Sequence, residues 1–463
     1  MANLRKPRKV FFVLSLGTAT AALAIAFTLA VVATQPAQAQ TFAVLHNFTG
    51  GQDGADPQSG VTDKAGILFG TTFSGGKGYG TVYQLKHRGS GWIINPLYDF
   101  AGGSDGANPV ARVVFGPDGL LYGTTYYGGG SGCSGSGCGT VFRLRPPPTA
   151  CTTAICPWTE TVLYRFGGGD DGEQPTGDLI FDQAGNIYGT TYGNPAILGY
   201  GTVFKITPGG SLTTLYSFCS QSNCTDGADP YAGLVQGSDG NFYGTTVFGG
   251  ANDTCGSSGC GTVFRITPSD TLTTLYSFCA QSDCADGELP FASLVQGSDG
   301  NFYGTTFTGT PSIGSYGTVF RITPSGTLTT LYTFCSQSNC TDGAAPHAGL
   351  VQASDGNFYG TTTYGGANDS CVEGGSEVGC GTLFKITPTG TVTTLYSLCS
   401  QTDCTDGQWP LGGLVQDTNG SFYGAANQGG ANGDGTVFSL SVGLGRLVEN
   451  TTSPTAAMGE TGH

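Results

Sequence analysis

The chain has 463 residues, of which 80 are Gly and only 11% are charged, and its formal net charge at pH 7 is −15. This acidic balance excludes nucleic acid and anionic membrane surfaces as partners, because both require basic patches on the protein. The glycines follow no three-residue period and apolar segments recur throughout, so the composition excludes a collagen-like chain and does not fit a disordered one.

Residues 1–39 predict an export signal. Four basic residues precede the apolar stretch 10–33, and Ala-Gln-Ala at 37–39 is the kind of small-residue site that signal peptidase cleaves. The alternative is an uncleaved membrane anchor, since about 20 apolar residues can span a bilayer. We expect cleavage and a secreted or periplasmic location, with 13 basic against 32 acidic residues in the mature chain.

Three short phrases recur seven times in a fixed order between residues 41 and 440. They are Tyr-Gly-Thr-Thr, as at 243–246, Gly-Thr-Val, as at 261–263, and Leu-Tyr-x-Phe, as at 275–278. Successive Tyr-Gly-Thr-Thr phrases, including their variants, lie 53 to 66 residues apart. A fixed order at similar spacing is typical of a modular array in which each repeat packs on its neighbours.

The fourth copy shows the structure that one repeat predicts. Residues 233–236 form a short apolar strand, and a Ser-Asp-Gly-Asn turn at 238–241 leads to strands at 242–246, 262–267 and 272–278. Four antiparallel strands of this kind make one propeller blade. Because blades stack face to face, both faces of an inner strand are buried, which explains the unbroken apolar pair Phe242-Tyr243.

The two ends of the mature chain predict a closed ring. Residues 42–48 match a fourth strand and residues 435–440 a third, so the start of the chain supplies the outer strand that the last repeat lacks. Joining them leaves no unpaired sheet edge. The predicted fold is an all-β, seven-bladed β-propeller of four-stranded antiparallel blades over 40–442, followed by a disordered polar tail, 443–463. A β-helix is the alternative, but it has shorter rungs and needs polar caps.

The phrases Asp-Gly-Asn-Phe-Tyr-Gly-Thr-Thr at 239–246 and Gly-Thr-Val-Phe-Arg-Ile-Thr at 261–267 resemble the GloVer tandem repeats of exported bacterial proteins. The resemblance covers about residues 41–440. It implies export and propeller-like repeats but no catalytic residues, because that family has no established activity. Relatives often carry a C-terminal surface-sorting segment, which the polar tail does not show. The Asp-Gly-Asn hairpins more loosely resemble those of gluconolactonase-type and NHL propellers.

Sixteen cysteines fall into eight close pairs, which predicts local disulfides in an exported protein. A loop this short gains only about 2 kcal/mol from a bridge, so the bridges should staple loops rather than hold the fold. Zinc is the alternative, because two pairs brought together could supply four thiolates. We expect no cofactor. The pairs are Cys133 with Cys138, Cys151 with Cys156, Cys219 with Cys224, Cys255 with Cys260, Cys279 with Cys284, Cys335 with Cys340, Cys371 with Cys380 and Cys399 with Cys404.

Two classes of loop should emerge on one face of the propeller: those between strands two and three, and those that cross from strand four to the next blade. Nearly all the length variation lies in these loops, as do all the cysteine pairs except Cys151 with Cys156. Variable loops on a rigid scaffold are where binding usually resides. We therefore expect the contact surface on this long-loop face.

Each crossing carries the phrase Asp-Gly-x-x-Pro, and its aspartate has two interpretations. Seven carboxylates could form a ring that holds a cation or a polar ligand, or each could bond the backbone of its own turn. A residue that recurs in every repeat serves the repeat, so we favour the structural role. The repeat aspartates are Asp53, Asp105, Asp171, Asp226, Asp286, Asp342 and Asp406.

Positions beside the crossing proline break the repeat symmetry and are the better binding candidates. Aromatic rings beside carboxylates suit flat polar ligands such as sugars, and the alternative role for such rings is packing between blades. We expect the aromatic members to form an arc around the channel mouth. The predicted ligand-binding residues are Tyr231, Phe291, His347, Trp409, Asp56 and Asp229.

Catalytic signatures are sparse, so no catalytic residue is predicted. His46, His87 and His347 are the histidines of the predicted propeller, and no nucleophile elbow is present in a strand-to-helix context. Glu173 and Glu288 occupy equivalent crossings and are the candidates for a carboxylate pair, but glycoside chemistry depends on a separation that sequence does not supply.

The sequence therefore predicts an exported, non-catalytic binding module of the cell envelope or extracellular space. Its expected partner is polysaccharide or another envelope protein, and we expect a monomer. The alternatives are a propeller hydrolase or lyase that acts on carbohydrate with carboxylates near the channel mouth, and a structural protein of the envelope. An enzyme should gather acidic or His residues of one or two blades in a pocket, whereas a binder should present aromatic and amide groups.

Overall fold

A computed structural model describes residues 40–148, 157–193, 199–252, 255, 258–309, 316–368, 370–373 and 376–445. These residues form seven four-stranded antiparallel sheets, and none of them lies in an α-helix. The seven-bladed β-propeller is confirmed. The predicted signal and residues 446–463 of the predicted tail lie outside the described residues. Within those that are described, no helix is long and apolar enough to cross a membrane.

The strands follow one another blade by blade, and the first strand of each blade lies nearest the ring axis. The described chain begins with β1 (Thr41–Asn47). Blade 1 contains β2 (Thr62–Lys64), β3 (Ile67–Thr72), β4 (Thr81–Arg88) and β5 (Gly91–Asp99). Blade 2 contains β6 (Val114–Phe115), β7 (Leu121–Thr125), β8 (Thr140–Arg145) and β9 (Thr159–Arg165). Blade 3 contains β10 (Ile180–Phe181), β11 (Ile187–Thr191), β12 (Thr202–Ile206) and β13 (Leu212–Ser217).

The remaining blades repeat this order. Blade 4 contains β14 (Val235–Gln236), β15 (Phe242–Thr246), β16 (Thr262–Ile266) and β17 (Leu272–Ser277); blade 5 contains β18 (Val295–Gln296), β19 (Phe302–Thr306), β20 (Thr318–Ile322) and β21 (Leu328–Thr333). Blade 6 contains β22 (Val351–Gln352), β23 (Phe358–Thr362), β26 (Thr382–Ile386) and β27 (Val392–Ser397). The long loop between β23 and β26 forms a small hairpin of β24 (Val372–Glu373) and β25 (Ser376–Glu377). Blade 7 contains β28 (Val415–Gln416), β29 (Phe422–Ala426), β30 (Thr436–Ser441) and β1.

The N-terminal strand closes the ring. β1 pairs antiparallel with β30, with Phe42 opposite Leu440 and Asn47 opposite Thr436, and blade 7 has the strand order β1-β30-β29-β28. The backbone N–H of Phe48 continues this pairing by donating to the carbonyl oxygen of Gly435 at 3.0 Å. The closure predicted from the chain ends is confirmed.

The recurring phrases have local physical causes. In blade 4, the hydroxyl oxygens of Thr246 and Thr262 are hydrogen-bonded at 2.8 Å, and the hydroxyl of Thr246 also accepts the backbone N–H of Thr262 at 3.1 Å. Gly244 cannot carry a side chain, because a Cβ there would lie 2.6 Å from the ring of Phe264. Gly-Thr-Thr and Gly-Thr-Val are therefore two halves of one buried contact between neighbouring strands.

The core lies between blades. The ring of Tyr243 stacks on Phe302 of the next blade at a centroid distance of 4.0 Å, and Tyr303 stacks on Phe358 at the same distance. Phe242 and Tyr243 are each about 1% exposed, so adjacent residues on opposite faces of β15 are both buried. This burial explains why the second strands lack alternating polarity.

Candidate functional site

A cavity of about 310 Å³ runs through the centre of the ring, lined by residues of all seven blades. Its walls are built by the segments that lead from each crossing proline into the first strand. The residue directly after each proline lies nearest the crossing loops. Around the ring these seven residues are Gln58, Val110, Thr176, Tyr231, Phe291, His347 and Leu411.

Three aromatic rings converge on one side of this channel mouth. The centroid of Tyr231 lies 5.4 Å from that of Phe291 and 5.6 Å from that of His347, and Phe291 stacks on His347 at 5.2 Å. All three side chains are half-buried. Burial lowers the pKa of His347, and its Nδ1–H donates to the carbonyl oxygen of Leu411 at 3.3 Å. The neutral imidazole therefore acts as a third flat surface. We call these three residues the aromatic wall.

An ion pair between neighbouring blades also lines the channel. Arg112 of blade 2 donates from Nη2 and Nε to Oδ2 of Asp178 in blade 3, at 2.6 and 2.7 Å, and its backbone N–H donates to Oδ1 at 2.9 Å. The carboxylate raises the pKa of Arg112. In a seven-bladed ring this pair lies opposite blade 6, which carries His347, and blade 3 adjoins blade 4, which carries Tyr231. We call this pair the charged wall.

The charged wall stands out because the other five residues at its level are small. A Cβ on Gly233 would lie 2.6 Å from the carbonyl oxygen of Asp178, so the inner backbones of neighbouring blades touch here and exclude larger residues. Arg112 and Asp178 extend into the channel where the other blades present only backbone or a hydroxyl. The small residues are Gly60, Gly233, Ser293, Gly349 and Gly413.

Trp409 lies apart from the aromatic wall. It precedes its crossing proline, whereas the three wall residues follow theirs. Its Nε1–H donates to the carbonyl oxygen of Gly379 at 3.2 Å, and its ring packs against the hydrophobic cluster that contains Cys371. The centroid of its ring lies 6.4 Å from that of Tyr364. The structure therefore brings together three of the four predicted aromatic residues.

The position before the proline has an unusual backbone in every blade. All seven residues there have positive φ, between 52° and 58°, although none is Gly. This left-handed conformation is uncommon for residues with a Cβ. It turns the side chain away from the channel and toward the loops of the long-loop face. The seven residues are Asp56, Asn108, Gln174, Asp229, Leu289, Ala345 and Trp409.

The two predicted aspartates share this position and do not line the channel. Asp56 accepts a hydrogen bond from the hydroxyl of Ser74. Asp229 is 1% exposed, and its Oδ1 has no hydrogen-bond partner among the described residues. Burial raises the pKa of Asp229 to about 7. The buried carboxyl group is therefore protonated below about pH 7, and it does not line the channel.

Replacing Asp229 by Asn should change how stability depends on pH. An unfolded Asp titrates near 3.8 and the folded one near 7. Between these values the folded state holds a proton that the unfolded state has lost, so stability falls as pH rises from about 4 to about 7 and is constant above. The variant lacks this loss and should be more stable than the parent at pH 8, by roughly 2–4 kcal/mol. Urea unfolding of the parent and the variant at pH 4.5 and pH 8 measures this difference in stability. An equal gain in stability at both pH values would contradict the raised pKa of Asp229.

The carboxylate-pair candidates contact sulfur rather than each other. Oε2 of Glu173 lies 2.6 Å from Sγ of Cys133, and Oε2 of Glu288 lies 2.6 Å from Sγ of Cys255. Neither glutamate lines the channel. Glu173 and Glu288 belong to the loops of the long-loop face, and the structure does not assemble them into a catalytic pair.

Seven of the eight predicted cysteine pairs are disulfides of the described chain. Both Cys151 and Cys156 lie outside the described residues, so a bridge between Cys151 and Cys156 stays a prediction from the sequence.

Two of these bridges staple crossing loops away from the channel. Cys219 is bonded to Cys224, and Cys335 is bonded to Cys340. Both Cys224 and Cys340 have a positive φ of 51°, and neither Cys224 nor Cys340 lines the channel. The carbonyl oxygen of Cys224 accepts backbone N–H groups from its own crossing and from the loop between β15 and β16, each at 2.9 Å. These cysteines therefore fix the shape of the rim and contribute nothing to the wall of the cavity.

A family model described as Gloeobacter/Verrucomicrobia repeat matches the chain in four overlapping regions, residues 26–254, 151–285, 199–376 and 341–460. The chain belongs to this GloVer family. No curated protein matches it.

Three solved structures are similar to this GloVer chain to different degrees. The extracellular domain of a proposed hybrid two-component system from B. thetaiotaomicron matches with a TM-score of 0.51 and 11% identity, over 87% of this chain and 40% of that one. A proposed gluconolactonase matches with a TM-score of 0.40 and 10% identity, over 89% and 95% of the two chains. A luciferin-regenerating enzyme matches with a TM-score of 0.42 and 10% identity, over 88% of this chain and 97% of that one. The GloVer chain thus spans well under half of the first of these, and identities this low show the fold alone.

Each repeat aspartate of the GloVer chain holds its own crossing loop. Oδ2 of Asp226 accepts the hydroxyl of Tyr216 at 2.8 Å and the backbone N–H of Ser220 at 2.9 Å, and Oδ1 accepts the backbone N–H of Gln221 at 3.2 Å. At the first crossing, His46 takes the place of the tyrosine and lies 3.0 Å from Asp53. These contacts support the structural role of the seven aspartates.

Our sequence reasoning missed an alternation between blades. Blades 2, 4 and 6 staple the loop between strands two and three with a disulfide, and the crossing that follows carries Glu173, Glu288 or Gln408 against its sulfur. The other four crossings carry Ala at that position. Blades 1, 3 and 5 instead place a tyrosine where the second cysteine of the staple would be. Aligning the repeats in pairs of blades would have found this pattern. The tyrosines are Tyr79, Tyr200 and Tyr316.

Proposed function

We propose that this protein is an exported binding module that holds a carbohydrate ring at the mouth of its channel. The observation that carries the proposal is that the aromatic wall and the charged wall line the same cavity. The aromatic wall comes from blades 4 to 6 and the charged wall from blades 2 and 3. No other arrangement in the described channel combines flat apolar surface with directed polar groups.

This pairing matches the chemistry of a pyranose. A sugar ring has an apolar face of C–H groups, which stacks on aromatic rings, and a rim of hydroxyls, which requires hydrogen-bond partners. Arg112 has five N–H donors, and Asp178 engages only part of them. Gln58 and Thr176 add polar groups at the mouth. The volume of about 310 Å³ lies at the lower end of ligand pockets, which suits one sugar unit.

Two features support binding outside the cytoplasm. The sequence carries the predicted export signal, and the described chain forms seven disulfides. Disulfides persist in oxidising compartments. Their loops surround the channel mouth on the long-loop face, where they make the rim of the proposed site rigid.

Binding is favoured over hydrolysis by the state of the channel carboxylate. Asp178 is the carboxylate that lines the cavity among the described residues, and Arg112 binds both of its oxygens. Glycoside hydrolysis by paired carboxylates requires two of them, about 5 to 10 Å apart and on either side of the bond. The described channel has one carboxylate, Asp178, and both of its oxygens are bonded to Arg112.

Tyr231→Ala should weaken sugar binding at least tenfold, since losing one stacking ring costs roughly 1.5 kcal/mol. A glycan array screened with the parent protein identifies the ligand, and calorimetry with that glycan measures the change. Tyr79→Ala is the matched control, because Tyr79 is exposed on the same face but lies outside the channel. An array without any bound glycan, or equal affinities of the parent and Tyr231→Ala, overturns the proposal.

A further inference from the structure

Two cysteine pairs converge at blade 4. Cys255 and Cys260 lie in the loop between β15 and β16, and Cys279 and Cys284 lie in the crossing that leaves the same blade. Their four Sγ atoms and a carboxylate oxygen of Glu288 all lie within 4.8 Å of one another. The Sγ atoms of Cys255 and Cys279, from different pairs, are 3.4 Å apart. We call this group cluster A.

Blade 6 repeats the arrangement in its own two loops. The Sγ atoms of Cys371, Cys380, Cys399 and Cys404 lie within 4.8 Å of one another. Gln408 replaces the glutamate, with Oε1 3.1 Å from Sγ of Cys371. We call this group cluster B.

Two independent blades therefore bring four sulfurs together. The remaining bridged crossings do not, because the loop between strands two and three of blades 3 and 5 carries no cysteine. Cys219 and Cys224 of one such crossing, and Cys335 and Cys340 of the other, accordingly belong to neither four-sulfur group.

Both clusters are disulfides in the structure. Each cluster therefore offers thiolate ligands only after both of its bridges have been reduced.

We propose that, once its two bridges are reduced, each cluster binds one Zn²⁺ through four thiolates. Tetrahedral zinc with Zn–S bonds of about 2.3 Å places its sulfurs about 3.8 Å apart. All sulfurs of a cluster lie within 4.8 Å of one another, and the two sulfurs of each bridge must move apart after reduction. Thiolate is the ligand that selects zinc over harder cations. This site does not depend on the carbohydrate site proposed above.

The electron balance is that of thiol–disulfide exchange. Each bridge takes two electrons and two protons from a dithiol reductant, which is itself oxidised to a disulfide. Two such exchanges convert one cluster into four thiols. The four thiols then release their protons as the metal binds, because thiolate is the ligand.

The backbone holds two ligands of cluster A in place without the bridges. The N–H of Leu289 donates to the carbonyl oxygen of Cys260 at 3.0 Å, and the N–H of Gly287 donates to that of Cys284 at 2.8 Å. Cys260 is fully buried and Cys284 is 8% exposed. Reduction leaves these bonds intact, so one cysteine of each pair should keep its position.

The test is metal stoichiometry in the reduced, full-length mature protein. The protein is reduced with a phosphine, which does not compete for metal, and titrated with Co²⁺ and then Zn²⁺. We expect two Co²⁺ per chain with thiolate-to-metal charge-transfer absorption, displaced by Zn²⁺, and none in the oxidised protein. The double variant of Cys279→Ser with Cys284→Ser should bind one. The matched control, Cys219→Ser with Cys224→Ser, should still bind two.

Two outcomes overturn the proposal. One is the absence of a thiolate band in the reduced parent; the other is the same stoichiometry in the parent and in the double variant of Cys279 and Cys284. If reduction alone loosens the fold, Zn²⁺ should restore the circular dichroism spectrum, because metal binding then contributes to folding. A reduced chain that stays unfolded in the presence of Zn²⁺ also contradicts the site.

Discussion

A variant that begins at Phe48 should fail to fold as a stable monomer, whereas one that begins at Gln40 should fold. The first lacks β1, which forms six paired positions with β30. It also lacks Phe42, whose ring stacks on Tyr396 at a centroid distance of 4.0 Å and contacts Phe438 at 5.3 Å. Several backbone hydrogen bonds at about 1 kcal/mol each and one half-buried aromatic ring at about 1 kcal/mol together come to roughly 5 kcal/mol.

The exposed edge of β30 gives this variant a recognisable behaviour. An unpaired edge strand pairs with other chains, so we expect aggregates or dimers in size-exclusion chromatography and a lowered urea midpoint. A synthetic peptide of residues 40–47 should restore the monomer by adding the missing strand. A monomeric variant with the stability of the longer chain would show that the ring does not depend on β1.

Most of the fold can be predicted because its signals are local and repeated. In blade 4 the sequence predicts the second strand at its observed bounds, and the other three differ by one or two residues. Turn chemistry places these strands, and seven copies remove ambiguity that one copy would leave. The closure is also predictable, since it requires only that a fourth-strand phrase precedes the first repeat and that the last repeat stops at its third-strand phrase.

The aromatic wall is only partly predictable, for a conformational reason. Tyr231, Phe291 and His347 follow their prolines and point into the channel, but Trp409 precedes its proline. Residues before proline usually adopt extended backbone, and nothing in the sequence indicates the positive φ found here. That conformation turns Trp409 toward the loops, so adjacent positions in the sequence serve different surfaces.

The charged wall cannot be predicted from the residues alone. Arg112 and Asp178 are 66 positions apart, and pairing them requires the register between neighbouring blades. An alignment of the seven repeats does show that these two residues replace Gly or Ser, but it does not show that they meet. The convergence of two cysteine pairs in one blade depends on loop packing in the same way.

Asp342→Ala should cost about 3–5 kcal/mol of the free energy of unfolding, which makes it the most harmful single substitution that we expect. Asp342 is fully buried, and its carboxylate accepts the hydroxyl of Tyr332 at 2.7 Å, the backbone N–H of Ser336 at 3.0 Å and that of Gln337 at 3.3 Å. Hydrogen bonds to a charged group contribute about 1.5–3 kcal/mol each, and Ala leaves the buried donors without an acceptor.

Two further variants separate the structural role from the ligand-binding role of this aspartate. Tyr332→Phe removes one donor and should cost only about 1 kcal/mol. Asp342→Asn keeps one acceptor oxygen and should fall between the two. Urea unfolding gives this order if the carboxylate holds the crossing loop. The opposite result is that Asp342→Ala unfolds at the parent's urea concentration but no longer binds a cation or a glycan. That result would mean that the seven aspartates form a ligand ring, because a carboxylate that only holds its loop can affect binding only by loosening the loop.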